Sequence, residues 1–165
     1  MLPRSRPVSV PVSLPHPALP QADWADCYIL PVAGGGLTAA MAAERTIGHF
    51  PFWVDSLLLL RNIAVLPFGL KGARATTAKD QAFIGIFPVL FQSDEQLVLG
   101  FDDTHLDFRI VVELREAGEA GQLASVTTLV RRKILLGKLY IAVVTPFHRL
   151  IVKSQLSKLA LPRSL

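Results

Sequence analysis

The sequence predicts an α+β domain in which one antiparallel sheet carries its helices on a single face. Three observations predict this class. An apolar strand pattern over 25–33 is followed by two helical patterns. Strand patterns separated only by turns then extend from 82 to 133. A long apolar segment with helical spacing, 134–160, follows them. Consecutive strands without helices between them pair as an antiparallel meander, and the helices must bury their apolar sides against it.

The first strand and first helix are delimited by glycine. "ADCYILPVA" (25–33) is a short apolar run, and "GGG" (34–36) after it predicts a turn. This glycine run lacks the strand–GxGxxG–helix spacing of a dinucleotide site. Thr38 predicts the N-terminal cap of a short helix, "AAMAAERTIG", and Gly48 is expected to end it.

A second short helix is predicted to begin at Pro51 and to end before Pro67. Arg61 and Asn62 interrupt its apolar pattern. A buried arginine needs a carboxylate or several carbonyl partners, because an unpaired interior charge is costly. Our first interpretation of Arg61 is an ion pair with an acid of the strands. The alternative is that it binds an anionic group of a ligand.

Four strands are predicted in the middle of the chain. They cover 82–92, 96–101, 105–116 and 123–133, with turns at 93–95 and 117–122. The third strand alternates with period two. Its apolar side consists of Leu106, Phe108, Ile110, Val112 and Leu114. The other side consists of His105, Asp107, Arg109, Val111 and Glu113.

The last helix, 134–160, is expected to turn Tyr140, Val143, Val144 and Phe147 toward the sheet. Pro146 should bend it, because proline lacks the amide donor and clashes one turn back. A bent helix across a curved sheet leaves space beneath it, where an apolar ligand can bind. His148 lies one position off the apolar stripe and is interpreted as a surface or edge histidine.

Composition excludes several classes of function. The chain is 51% hydrophobic with a net charge of +4, so apolar surface must be buried, covered by a partner, or left lining a cavity. Its basic residues are dispersed, without the basic stripe of nucleic-acid binders. Cys27 is the single cysteine and is interpreted as a core residue. One cysteine excludes an internal disulfide framework and a multi-cysteine zinc site, and it fits a cytoplasmic location. No cofactor is expected.

The first twenty residues contain six prolines and are interpreted as a flexible tail, which leaves 21–165 as a single domain. They lack the uninterrupted apolar segment of a secretory signal. The apolar segments 57–70 and 134–152 contain charges and proline, so no transmembrane segment is expected.

Three stretches carry a resemblance to a known family. They are "LLLLRNIAVLPFGLK", "GFDDTHLDFRI" and "TTLVRRKILLGKLYIAVVTPFHRLIV". They resemble a bacterial family known as domain of unknown function 2867, over roughly 22–160. The order of elements resembles the helix-grip fold of START-related and pollen-allergen-related proteins, in which a curved antiparallel sheet wraps around a long C-terminal helix.

The resemblance implies that a lipid or another apolar small molecule binds under the last helix. It also implies an NAD-binding dehydrogenase-like partner, because the family domain can follow such a domain. No family chemistry is settled, so the resemblance assigns no catalytic residue and no metal.

The candidate ligand-binding residues combine an apolar wall with polar selection. The wall is predicted to consist of Phe87, Phe101, Phe108, Tyr140 and Phe147. The polar group of the ligand is predicted to be recognised by Arg61, His105, Asp107 or Arg109. Phe108 and the polar residues of its strand cannot share one pocket unless a bulge reverses the register.

Other interpretations of "DDTHLDFR" stay open. It can be a solvent-facing stripe with an Asp107–Arg109 ion pair, a proton-transfer pair of His105 and Asp107, or part of a metal site with Asp103. The favoured function is binding of an apolar or amphipathic small molecule. One alternative is an enzyme, a cyclase, isomerase or hydrolase, that uses the same cavity. Another is a module that docks on a dehydrogenase-like protein or a membrane surface.

Overall fold

The computed structural model describes residues 6–50, 80–103 and 106–160. The strands are β1 (Val8–Val10), β2 (Trp24–Val32), β3 (Phe83–Ile84), β4 (Phe87–Gln92), β5 (Gln96–Asp102), β6 (Leu106–Glu116) and β7 (Gln122–Arg132). The helices are α1 (Ala39–Thr46) and α2 (Leu135–Leu156), with short 3₁₀ turns at Gly118–Ala120 and Ser157–Ala160. The strands form one antiparallel sheet in the order β1-β2-β7-β6-β5-β4-β3. The predicted α+β class is confirmed. Arg61, with the helix predicted around it, and His105 lie outside the described residues.

Three long neighbouring strands form the middle of the sheet. β6 pairs with β7 along its whole length, and β7 pairs with all of β2. Residues directly opposite one another project from the same side, so the register sorts side chains into rows. One row consists of Trp24, Val130, Phe108 and Phe101. The next row consists of Asp26, Thr128, Ile110 and Leu99. Both rows lie on the face that the helices cover.

The first helix, α1, packs small residues onto this face. Its buried residues are Ala39, Ala42, Ala43 and Thr46. As predicted, Thr38 caps the helix, and its side chain accepts a hydrogen bond from the Met41 amide at 3.2 Å. Gly48 follows the helix, as predicted, and a Cβ there would lie 2.5 Å from the Glu44 carbonyl oxygen. Only glycine allows the chain to turn this tightly against the last helical turn.

The N-terminal segment covers the opposite face of the sheet. β1 pairs with β2, and the segment after it contributes to a second apolar cluster. The buried residues of that cluster are Leu19, Val98, Val111 and Leu129. This differs from the predicted flexible tail over 1–20, because residues 8–19 belong to the folded domain. Spaced prolines favour an extended chain, and an extended chain can pair with the edge of a sheet.

Cys27 lies opposite Thr127 in the β2–β7 register and is buried, as its apolar neighbourhood predicts. Burial is the main cause that raises the pKa of its thiol, and a hydrogen bond with Thr127 opposes it. The thiol therefore remains protonated at neutral pH, which makes it a poor nucleophile.

The long helix α2 is apolar on two sides. Ile141 and Leu156 on its inner side are buried. The large apolar residues exposed on its outer side are Leu135, Leu139, Val143, Phe147 and Leu150. The prediction that Val143 and Phe147 face the sheet is therefore wrong. When both sides are apolar, periodicity cannot decide which one turns inward. Two polar contacts fix the inner side. His148 contacts Asp26, and Gln155 donates to the His49 carbonyl oxygen.

Among the described residues, Leu135–Ala160 is the one helix that is long and apolar enough to cross a membrane. That statement concerns length and composition only, and the core helix of a soluble protein meets the same criteria. Here one side of the helix lies over the sheet, and Lys138, Pro146 and Arg149 interrupt the apolar run.

Candidate functional site

A cavity of about 230 Å³ lies between the sheet and α2. Its aromatic lining consists of Trp24, Phe50, Phe87, Phe101, Phe108 and Tyr140. The aliphatic lining from α2 consists of Ile141, Val144, Ile151, Val152 and Leu156. The strands β6 and β7 add the aliphatic residues Leu106, Ile110, Val126 and Val130. The surface that surrounds this space is therefore dominated by apolar side chains.

The sheet side of the cavity follows from strand register. Phe101 and Phe108 are direct partners across β5 and β6, and their ring centroids lie 5.5 Å apart. Phe87 on β4 adds a third ring, 5.6 Å from that of Phe108. Tilted aromatic pairs at such separations attract one another in addition to burying area. The three rings therefore form a continuous wall.

A histidine that lines the cavity contacts a carboxylate that is not among the lining residues. Nε2 of His148, on α2, lies 3.2 Å from Oδ1 of Asp26, on β2. Both side chains are largely buried, with 20% and 11% of their surface exposed. The Trp24 ring meets the His148 ring edge-on at 5.8 Å between centroids. When Nε2 carries the proton, it donates a hydrogen bond to the carboxylate, and Nδ1 is the acceptor that remains for a second partner.

The second oxygen of Asp26, Oδ2, is buried and accepts no hydrogen bond within the described parts of the chain. A buried acceptor without a donor destabilises the folded state.

Gln155 is a second polar group of this kind. It lines the cavity from α2 and is only 4% exposed. Its Nε2 donates to the His49 carbonyl oxygen at 3.3 Å, whereas its Oε1 is buried without a donor from any described residue. Gln155 follows His148 by seven residues on the same helix side, so their Cα atoms lie about 10 Å apart along the axis.

The predicted site residues divide between the cavity and the rest of the surface. Phe87, Phe101, Phe108 and Tyr140 line the cavity. Phe147 is 48% exposed on the outer side of α2 and is not among the lining residues.

Asp107 and Arg109 lie on the opposite face of the sheet from Phe108, as strand alternation requires. Asp107 is buried, and its carboxylate oxygens lie 2.6 Å from Lys133 Nζ and 3.6 Å from an Arg131 nitrogen. These basic residues compensate its charge. Among the described residues, Asp107 therefore forms its ion pairs with Lys133 and Arg131. One interpretation of the sequence had paired it with Arg109 instead.

Arg109 contacts Asp102 at 2.8 Å and donates to the carbonyl oxygens of Phe101 and Phe108. The Arg109 hydrogen bond lowers the pKa of Asp102 below its usual value. These contacts hold the guanidinium at the edge of the β5–β6 pair, away from the cavity. No group of three or more metal-ligating side chains occurs in the described ranges, which omit 51–79 and 104–105.

Sequence reasoning missed Trp24, Asp26 and Gln155 and assigned His148 to the surface. Asp26 and His148 are separated by 122 positions, so only the tertiary fold brings them together. One local signal was present: Thr145, His148 and Gln155 interrupt an apolar helix at spacings of three and seven residues. Polar residues that repeat on one side of an apolar helix indicate that this side has hydrogen-bond partners in the fold.

The fold and the cavity define an α+β domain in which a long helix lies over an open antiparallel sheet and leaves an apolar cavity between them. A family model matches residues 18–155, and the chain belongs to that family, described as protein of unknown function, DUF2867. No curated protein and no solved structure matched the chain.

Proposed function

We propose that this protein binds an apolar or amphipathic small molecule in the cavity between the sheet and α2. The apolar lining of that cavity is the observation that supports the proposal. Ligand sites are concave and mostly apolar, with few polar groups that fix orientation. The helix-grip resemblance favours the same location, since related proteins hold their ligands under the last helix.

The cavity volume limits the ligand. About 230 Å³ is below the roughly 300–1,000 Å³ of typical ligand pockets. An apolar cavity of about 150 Å³ already accommodates a molecule the size of benzene. The ligand is therefore a compact apolar molecule, or an amphipathic one with a single small polar group.

A matched pair of valines tests the proposal. Val144 lines the cavity, whereas its neighbour Val143 is exposed on the outer side of α2. Calorimetric titration with straight-chain alcohols should show affinity rising about fourfold per methylene until the cavity is full. Val144→Trp should abolish this binding and Val143→Trp should leave it unchanged. Equal binding by both variants, or no binding by the wild type, would show that the cavity is not a ligand site.

A second candidate function is suggested by the outer side of α2, for which we propose an anionic membrane surface as the partner. Its exposed apolar residues are Leu135, Leu139, Val143, Phe147 and Leu150. The basic residues of the helix and its last turn are Lys138, Arg149, Lys153 and Lys158, and no acidic residue occurs in this segment. A helix with apolar residues flanked by basic ones binds anionic lipid by burial and charge together.

Flotation with vesicles tests the membrane candidate. We expect binding to vesicles that contain phosphatidylglycerol and little binding to pure phosphatidylcholine. Leu139→Asp should abolish it, and Leu90→Asp, at an exposed residue of β4, serves as the control. Equal loss in both variants, or no binding to either vesicle, would contradict the membrane candidate.

An enzyme in the same cavity is the remaining alternative that the sequence suggested. In a catalytic version of the site, His148 and Asp26 would move the proton, since Asp107 faces away from the cavity. A cytoplasmic location and a dehydrogenase-like partner are further proposals. Fractionation of the host and copurification with the tagged chain would test them.

A further inference from the structure

We infer that the cavity selects a ligand that donates a hydrogen bond, such as an apolar alcohol, over a carboxylate of the same length. The inference rests on the proposed binding function and adds the chemical class of the ligand. It follows from the hydrogen-bond acceptors that Gln155, Thr46 and Thr145 present at the cavity.

Two threonines on the cavity wall have already used their protons. The hydroxyl of Thr46 donates to the Ala42 carbonyl oxygen at 2.8 Å. The hydroxyl of Thr145 donates to the Ile141 carbonyl oxygen at 2.5 Å. A hydroxyl has one proton and two lone pairs, so each threonine can offer only an acceptor to a ligand.

Gln155 offers an acceptor for a related reason. The His49 carbonyl oxygen accepts hydrogen bonds from Gln155 Nε2 at 3.3 Å and from Lys158 Nζ at 3.1 Å. Reversing the amide would place Oε1 against this carbonyl oxygen, so the backbone fixes Oε1 as the atom without a donor. Gln155 thus contributes a buried acceptor to the α1 end of the cavity, beside Thr46.

Asp26 does not line the cavity, but its carboxylate lies next to the lining residue His148. Its Oδ1 contacts His148, and its Oδ2 is buried without a donor among the described residues. A ligand hydroxyl can donate to Gln155 or to either threonine, whereas an ionised carboxylate can only accept. A carboxylate would also place its charge close to Asp26. The expected ligand is therefore the opposite of the anionic one that the sequence suggested for Arg61, which lies outside the described residues.

Three ligands of similar size separate these possibilities. Octanol and heptyl methyl ether are isomers that differ in whether the oxygen carries a proton, and octanoate adds a negative charge. Titration calorimetry on the full chain at neutral pH should rank octanol first. One additional hydrogen bond predicts that it binds about tenfold more tightly than the ether, and octanoate should be the weakest.

The variant Gln155→Leu should narrow the difference in affinity between octanol and the ether, because the buried amide acceptor is gone and only the threonine acceptors remain. Gln155→Met is a second variant of similar shape, and Thr145→Val removes one of the threonine acceptors. Thermal unfolding of each variant establishes that it is folded. Preference for octanoate, or equal affinity of the wild type for octanol and ether, would overturn the inference while leaving the binding function intact. If none of the three ligands bound to the wild type, and Val144→Trp gave the same result as the wild type, the binding function itself would be removed.

Discussion

The two faces of the sheet are covered in different ways, and only one covering leaves a cavity. On the back face, the extended segment before β2 lies directly on the strands, and Val111 and Leu129 are completely buried. On the front face, α1 brings buried alanines close to the strands, while α2 crosses over larger side chains. Side chains of a long helix touch the sheet only once or twice per turn, so aromatic residues below them leave unfilled space. The cavity is thus a consequence of what covers the front face.

The largest difference between the two faces should come from truncating a side chain in each. Leu129→Ala removes a fully buried side chain from a packed cluster and should lower the free energy of unfolding by about 2–5 kcal/mol. Val144→Ala enlarges a cavity that already exists and should cost about 1 kcal/mol or less. Urea unfolding, with midpoint and slope determined for each variant, measures both. Similar losses would mean that the two faces are packed alike.

Enlarging a side chain should again destabilise the back face more than the front face. Val111→Phe places a ring into the filled back cluster and should cost about 1–3 kcal/mol, because close-packed interiors accept extra volume only with strain. Val144→Phe directs the same ring into the cavity, where it should be neutral or stabilising. The melting temperatures of the two variants, compared with the wild type, give the sign of each effect. Destabilisation of the same size in both would indicate that the front face has no usable space.

Sequence reasoning succeeded for features that form between residues near one another in the chain. The period-two pattern of 105–116 predicted a strand, and β6 follows as Leu106–Glu116 with Phe108 on the apolar side. Local chemistry also fixed the Thr38 cap and the turn at 93–95, where the Ser93 hydroxyl accepts from the Gln96 amide. Such features depend on residues near one another in sequence, and a single sequence contains that information.

Features that depend on distant contacts were not predictable in the same way. The N-terminal segment looked like a tail because its prolines fit an unpaired chain, and only the edge of β2 gives it a partner. The orientation of α2 was wrong because its outer stripe is as apolar as its inner one. The Asp26–His148 contact needs the whole sheet to assemble. The candidate site was therefore half predicted: its aromatic wall came from strand phase, and its polar groups came from tertiary structure.

The smallest expected effect concerns charge, which also differs between the faces. Asp102 and Arg109 form their ion pair away from the cavity. Because the Arg109 hydrogen bond lowers the pKa of Asp102 in the folded protein, the unfolded chain binds a proton at this site at a higher pH than the folded protein does. The pair therefore stabilises the fold above the unfolded pKa of about 3.9, and this contribution is lost as the pH falls through the folded pKa. Asp102 is mostly exposed, so solvent and salt keep the effect small.

Asp102→Asn should flatten the pH dependence of stability in acid, and Asp94→Asn in the exposed 93–95 turn should not. Urea unfolding between neutral pH and the acid limit of folding, at low and high salt, measures the difference. The slope attributed to Asp102 should be smaller at high salt, because screening weakens the attraction that lowers its pKa. A wild-type slope that survives in Asp102→Asn would assign the acid sensitivity to other carboxylates.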